Sequence, residues 1–187
     1  LLESALTFSH TLLKQSIVLG DTVIDATVGN GGDTVLLAKL VGKQGKVYGF
    51  DVQEQALNTT KEKLLFTGLS EQVHLFQQGH ETVGKVLGEN EQISGAIFNL
   101  GYLPKSDKTV ITKGETTLAA LEALLPHLRK GALILLVVYY GHEGGEEEKE
   151  AVLTFAAQLP QTNYHVLQYN FINQKNQPPF LLAIEKK

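Results

Sequence analysis

Cysteine, methionine and tryptophan are all absent from this chain of 187 residues. Without cysteine there is no disulfide framework and no thiolate nucleophile, which suits a cytoplasmic setting. Methionine is missing even at position 1. The sequence is therefore expected to be other than the complete translation product, or to stand with its methionines lost. Long apolar runs are missing too. The longest, Ala132 to Tyr140, falls far short of the ~20 residues that cross a bilayer, and its β-branched content reads as a central strand. The N-terminus lacks the basic-then-apolar layout of a secretory signal, and no membrane association is expected. Excess positive charge is the last absence: 16 Lys and Arg stand against 20 Asp and Glu, a formal net charge of −4. That argues against a general nucleic-acid binder, whose affinity comes largely from neutralised phosphates. It leaves room for a local basic patch that grips one folded RNA. Lys105, Lys108 and Lys113 form a mid-chain cluster of this kind, which reads equally well as a solvated loop. No repeat, low-complexity tail or linker interrupts the chain, and no metal site is expected. With 43% hydrophobic residues, residues 1–187 are expected to form a single domain with a substantial core.

What the chain does have is organised around Asp25-Ala26-Thr27-Val28-Gly29-Asn30-Gly31-Gly32-Asp33-Thr34. Thr22 to Ala26 reads as a buried strand, and Val35 to Val41 as a helix packed on a sheet. The three glycines between them let the backbone turn sharply and approach a ligand. Free N–H groups and a helix N-terminus then cradle a negative or strongly polar group. Lys46 to Asp51 predicts a second strand ending in an acid. Asp51 stands 20 residues beyond Gly31. In a βαβ unit that spacing brings its carboxylate within reach of ribose hydroxyls. An ionised carboxylate only accepts hydrogen bonds, which suits a diol. Thr27, Gly29, Asn30, Gly31, Asp33, Thr34, Asp51 and the following Gln53 form the expected cofactor side.

The rest of the chain alternates. Residues 3–16 are expected to form a helix with Leu6, Leu12, Leu13 and Ile17 near one face, and to carry His10. Gln53 to Phe66 reads as a helix closed by Gly68, and Val73 to Gln77 as a third strand. A helix is expected from His80 to about Leu87. Gln78, Gly79 and His80 then lie where a nucleotide base would reach. Ser94 to Leu100 predicts a fourth strand, and its exit, Asn99-Leu100-Gly101-Tyr102-Leu103-Pro104, carries the second strong signal. An Asn carbonyl accepts from an amine N–H while an aromatic ring stacks on a flat face. Lys105 to Lys113 is longer than most strand-to-helix connections, which suggests a functional loop. Glu115 to Leu128 is expected to be helical, with Arg129-Lys130-Gly131 as its cationic end and glycine stop. After the fifth strand, Gly141 to Gly145 opens an acidic helix, Glu146 to Leu159, whose Glu146, Glu147 and Glu148 read as a solvated face. His142 sits at the C-terminal edge of a central strand, where ligands bind in open α/β sheets. Tyr164 to Phe171 and Pro179 to Ile184 predict an antiparallel hairpin. Its amide-rich loop, residues 172–178, is expected to face substrate or partner.

Alternating strands and helices imply an α/β, doubly wound sheet. Thr34 in place of a third glycine, and a terminal hairpin in place of a last βαβ unit, make an NAD oxidoreductase the lesser alternative. The Asp25-to-Asp33 loop, Asp51 and the hairpin resemble class I S-adenosylmethionine methyltransferases. The resemblance implies a Rossmann-like seven-stranded sheet in the order 3-2-1-4-5-7-6, strand 7 antiparallel, with helices on both faces. It implies S-adenosyl-L-methionine as cofactor, its amino-acid portion on the glycine turn and its ribose on Asp51, with Gly79, His80, Asn99 and Leu100 completing that side. A narrower set of motifs is similar to the rRNA-methylase-like family. It comprises Phe8-Ser9-His10, Asp25-Ala26-Thr27 with Gly29-Asn30-Gly31 and Asp33-Thr34, Asn99 to Pro104, Gly141-His142, and Asn173-Gln174 with Asn176 and Pro178-Pro179-Phe180. Members of that family methylate the aminomethyl nitrogen of 5-aminomethyl-2-thiouridine at the tRNA wobble position. The resemblance implies the tRNA anticodon region as partner and a homodimer as assembly. Tyr102, Pro104, Lys105, His142, Asn173, Gln174 and Asn176 are the expected substrate contacts. Asn99-x-x-Tyr102 also resembles the Asn-Pro-Pro-Tyr motif of amino-group methyltransferases, with both prolines replaced by Leu100 and Gly101.

An alkylamine has a pKa near ~10 by analogy with Lys, so the site must bind it neutral or remove a proton. Asn99 is expected to orient the amine and Tyr102 to pack on the uracil. Either His10 or His142 is placed to accept the proton, or a desolvated pocket lowers the amine pKa unaided. Methylation of rRNA or of a small molecule, and a non-catalytic RNA-binding module on the same fold, are the remaining alternatives.

Overall fold

In a computed structural model of the chain the described residues are 1–101 and 112–187. Seven strands form one sheet: β1 (Thr22–Asp25), β2 (Lys46–Phe50), β3 (Val73–Phe76), β4 (Ile93–Leu100), β5 (Leu128–Val138), β6 (Tyr164–Tyr169) and β7 (Phe180–Lys186). Their order is 3-2-1-4-5-7-6. The first five pair in parallel, whereas β7 runs antiparallel to both β5 and β6. Helices α1 (Ala5–Ser16), α2 (Gly32–Val41), α3 (Glu54–Thr67), α4 (Gly114–Leu124) and α5 (Gly145–Ala157) surround it. Leu13, Leu37, Ala38, Val41 and Leu64 bring α1, α2 and α3 onto one face. Leu121, Leu124, Val152 and Ala156 bring α4 and α5 onto the other. The expected doubly wound sheet with helices on both faces is therefore what the chain forms. β5 is apolar throughout its second half because both its faces are covered: Ile134, Leu135, Leu136 and Val137 are each 0% exposed. Burying one such side chain contributes about 1.5–3 kcal/mol.

Two expected elements differ. The helix predicted to reach Leu128 stops at Leu124 and passes through a 3₁₀ turn, Leu125–His127. Pro126 is the cause, since it lacks an N–H and its ring clashes with the preceding turn. Arg129-Lys130-Gly131 consequently belongs to β5, where the register against β4 shifts between Ile93 and Gly95. Arg129 donates to the Ser94 hydroxyl (2.8 Å), the Ser16 carbonyl (2.9 Å) and the Asp21 carboxylate (3.2 Å), fastening the N-terminal ends of β4 and β5 to α1. The segment after Gly79 is a 3₁₀ helix, His80–Lys85, rather than an α-helix. Its β-branched Thr82 and Val83, followed by Gly84, give weak α-helical preference.

Candidate active site

β1, β2, β4 and β5 all end on the same side of the sheet, and a cleft of about 820 Å³ opens there. This is where the carboxyl ends of parallel strands leave a crevice. On one wall the chain leaves β1, turns through Gly29–Gly31 and enters α2 at Gly32, with Gly31 as the helix cap at φ +77°. A Cβ on Gly31 would stand 2.5 Å from Thr60 Oγ1 on α3, so loop and helix approach as closely as they do only with glycine there. The turn is braced from below by Asp51, whose carboxylate accepts from the Gly29 N–H (2.8 Å) and the Gln53 N–H (2.9 Å). A carboxylate has about four acceptor positions, so two remain for hydroxyls of a bound ligand. Thr27, Gly29, Asn30, Asp33, Asp51 and Gln53 line this part of the cleft, and Gly79, His80, Asn99 and Leu100 line its continuation.

Gly31 and Thr34 do not line it. Gly31 is turned onto α3. Thr34 is buried, and its hydroxyl donates to Asp25 at 2.6 Å. The position of a third glycine is thus filled by a side chain that bonds to the end of β1, so α2 and β1 stay together despite the larger residue. Asp25 also accepts from the Thr27 N–H (3.2 Å). Burial, reinforced by the negative charge of Asp33, pushes the Asp25 carboxyl up from an ordinary 3.8 to about 7. Asp25 carried no site expectation of its own. The signal available was an acid ending an apolar strand, with a hydroxyl nine residues on.

At the far end, Asn99 is held at its backbone and at its side chain. Its N–H donates to Thr27 Oγ1 (2.7 Å), and its Nδ2 donates to Asp33 Oδ2 (2.6 Å). The following residue, Leu100, accepts from the Tyr139 N–H (2.9 Å). The other Asp33 oxygen meets His10 Nε2 at 2.6 Å. His10 therefore joins the site through Asp33 without lining the cleft itself. His142 does line it, with Nε2 at 2.8 Å from the Tyr139 carbonyl and Nδ1 at 2.9 Å from the Glu143 carbonyl. Carbonyl oxygens only accept, so each ring nitrogen faces an acceptor and the ring is held at the rim of the cleft. Tyr102, Pro104 and Lys105 lie outside the described residues. Asn173, Gln174 and Asn176 are exposed and do not line the cleft. Gln177 does, delivered by a turn in which Asn176 and Gln177 both have positive φ (64° and 50°). Non-glycine residues rarely adopt that conformation.

The acidic start of α5 is not uniformly solvated. Glu146 and Glu147 are exposed, whereas Glu148 is 2% exposed. Its position four residues before Val152 puts it on the apolar stripe, a phase that the run of three identical residues conceals. Among the described residues no group of three or more acids and histidines stands ready to hold a metal ion, and no helix is long and apolar enough to cross a membrane.

Residues 47–185 match the family described as "Putative rRNA methylase". The chain is 38% identical, over 96% of its length and 68% of the relative's, to the chloroplastic tRNA (mnm(5)s(2)U34)-methyltransferase of Arabidopsis thaliana. A solved structure described as a "putative rRNA-methylase" from Clostridium thermocellum superposes with a TM-score of 0.97 at 42% identity, each chain covered in full. A protein described as "a putative methyltransferase" from Streptococcus mutans, solved in complex with SAH, superposes with a TM-score of 0.91 at 45% identity, again over both whole chains. Fold, glycine turn and sequence agree, and the chain belongs to the rRNA-methylase family.

Proposed function

We propose that the cleft binds S-adenosyl-L-methionine and that the chain N-methylates RNA, at the 5-aminomethyl group of the wobble 2-thiouridine in the tRNA anticodon. The observation that carries the acceptor side is the fixed side chain of Asn99. Asp33 accepts hydrogen bonds only, so the Asn99 amide nitrogen faces it and the amide oxygen faces away. An acceptor oxygen at the end of β4 suits an amine that must point its lone pair elsewhere. The cofactor side rests on the braced glycine turn, the two spare acceptor positions of Asp51 and a cleft volume within the range of small-molecule sites. The relatives with tRNA-methyltransferase and SAH in their descriptions support the same reading.

When bound, the cofactor supplies an activated methyl group on a sulfonium. The chain's own work is alignment and charge. Gly29, Asn30 and Asp51 hold the cofactor side, and Asn99 orients the acceptor nitrogen. Tyr102 stacks on the base, and Lys105 and the hairpin loop around Asn173, Gln174 and Asn176 meet the RNA. The whole chain acts as one domain, cytoplasmic, and pairs as a homodimer.

The test is incubation with labelled S-adenosylmethionine and tRNA carrying 5-aminomethyl-2-thiouridine, followed by nucleoside analysis. Label at the wobble nucleoside is expected. Label on rRNA or a metabolite, with none on tRNA, overturns the substrate; failure to bind SAH overturns the enzyme.

A further inference from the structure

Glu148 has no place in the chemistry above, yet it is a buried carboxylate with both oxygens engaged. Its Oε1 accepts from the Thr117 hydroxyl at 2.8 Å, and its Oε2 accepts from the Thr112 hydroxyl at 2.6 Å. The two threonines lie on either side of Gly114, where a Cβ would come within 3.1 Å of Ala151 Cβ and 3.6 Å of Glu148 Cα. The absence of a side chain there lets α5 approach α4 until one carboxylate spans both hydroxyls. With its hydroxyl hydrogen directed at Glu148, Thr112 Oγ1 accepts from the Gly101 N–H at 2.8 Å, while the Thr112 N–H donates to the Gly101 carbonyl at 3.0 Å. Gly101 and Thr112 both line the cleft, and Gly101 is two residues beyond Asn99.

We propose that Glu148 is a positioning residue for the acceptor end of the cleft, acting through Thr112 on the Gly101 peptide and so on Asn99. The inference rests on the acceptor reading of Asn99. The last residues of β4 are then held from both flanks. Tyr139 grips the Leu100 carbonyl from the β5 side, and the Glu148–Thr112 pair grips Gly101 from the helix side. A carboxylate suits this task better than an amide. It accepts from two hydroxyls at once, which leaves Thr112 Oγ1 a lone pair for the Gly101 N–H. An amide in its place would offer one hydroxyl an N–H instead of an acceptor. Burial pushes the Glu148 carboxyl up, and the two threonine hydroxyls and the nearby His142 oppose that rise.

The experiment compares wild type, Glu148→Gln, Thr112→Val, Thr112→Ser and the Glu148→Gln/Thr112→Val double variant, with exposed Glu146→Gln as control. SAH affinity is read by calorimetry, and kcat and KM by transfer to tRNA carrying 5-aminomethyl-2-thiouridine. We expect Glu148→Gln to bind SAH within twofold of wild type and to lose at least tenfold in kcat/KM for the RNA. Thr112→Val should match it, Thr112→Ser should stay within threefold of wild type, and the double variant should be no worse than the poorer single. A Glu148→Gln or Thr112→Val enzyme with wild-type kcat/KM overturns the proposal, as do fully multiplicative losses in the double variant. Should Glu148→Gln fail to fold, the near-isosteric Thr112→Val and Thr112→Ser pair decides alone. If wild type itself transfers nothing to the tRNA, the acceptor reading has failed and the proposal falls with it.

Discussion

Asp51→Ala separates two duties of one carboxylate. In the folded chain Asp51 accepts from the Gly29 and Gln53 N–H groups at 2.8 and 2.9 Å. Gly29 is buried and Gln53 is half-exposed. Water can replace the carboxylate at Gln53, but the Gly29 N–H loses its acceptor, which costs about 1–3 kcal/mol of stability. The cofactor loses at least one hydrogen bond to a charged group, worth about 1.5–3 kcal/mol. At 1.4 kcal/mol per tenfold, SAH binding should weaken by roughly 10- to 150-fold. The consequence can be read by melting as well as by calorimetry. At SAH equal to 100 times the wild-type Kd, wild type gains about 2.7 kcal/mol from the ligand, whereas a variant bound 100-fold more weakly gains only about 0.4 kcal/mol. Asp51→Asn keeps one acceptor oxygen. It should recover part of the apo stability while remaining weaker than wild type for SAH. Equal SAH affinity in wild type and Asp51→Ala refutes the ribose assignment. An unchanged apo melting temperature refutes the bracing of the glycine turn.

Asn99→Ala is expected to lower kcat about 10²-fold through lost alignment of the acceptor while leaving SAH affinity within a few-fold; undiminished turnover refutes the acceptor role. Asp25 gives a pH signature. Its carboxyl titrates near an ordinary 3.8 in the unfolded chain and at about 7 in the folded one, raised first by burial and then by Asp33. Between those values the folded state binds more protons, so this group's contribution makes stability fall as pH rises from about 4 to 7 and then level off. Asp25→Asn should therefore lose less stability than wild type between pH 5 and pH 8.5 in urea melts, whatever its absolute stability. Parallel losses in the two proteins would contradict the raised value.

The features legible in the sequence are local ones. A β-branched strand, a glycine turn and a helix in sequence produced β1, the loop and α2. The acid at the end of β2 lies under the glycine turn because neighbouring parallel strands end together. Asn99 was visible as the polar residue that follows the apolar run Ala96 to Phe98 near the end of its strand. What the sequence concealed depends on packing between segments far apart in the chain. Glu148 looked like its two neighbours because three identical residues carry no phase; only the approach of α5 to Gly114 turns one of them inward. Thr34 was a departure from a glycine pattern, and its hydrogen bond to Asp25 requires knowing that α2 folds back on β1. In the hairpin loop four amides were equivalent in composition, and a turn with two consecutive positive φ angles selected Gln177 for the cleft. Pro126 marks the end of α4, a signal that the leucine periodicity around it masks.

Asp33 shows why the cofactor loop and the acceptor end are not independent parts. It belongs to the glycine turn, yet its two oxygens face His10 and Asn99, each at 2.6 Å. The three residues come from α1, the start of α2 and the end of β4, so nothing in their spacing announces the cluster. One consequence is geometric. Were Asp33 absent, the Asn99 amide could flip and turn an N–H towards an amine, opposing two donors. The other is electrostatic. A bare carboxylate beside the acceptor would favour its protonated, non-nucleophilic ammonium form. His10 Nε2 meets the Asp33 oxygen that Asn99 leaves, at 2.6 Å. The arrangement thus lets Asp33 fix the direction of Asn99 while His10 holds Asp33 itself in place. His10 thus touches the site only through Asp33, from behind the cleft wall rather than on it.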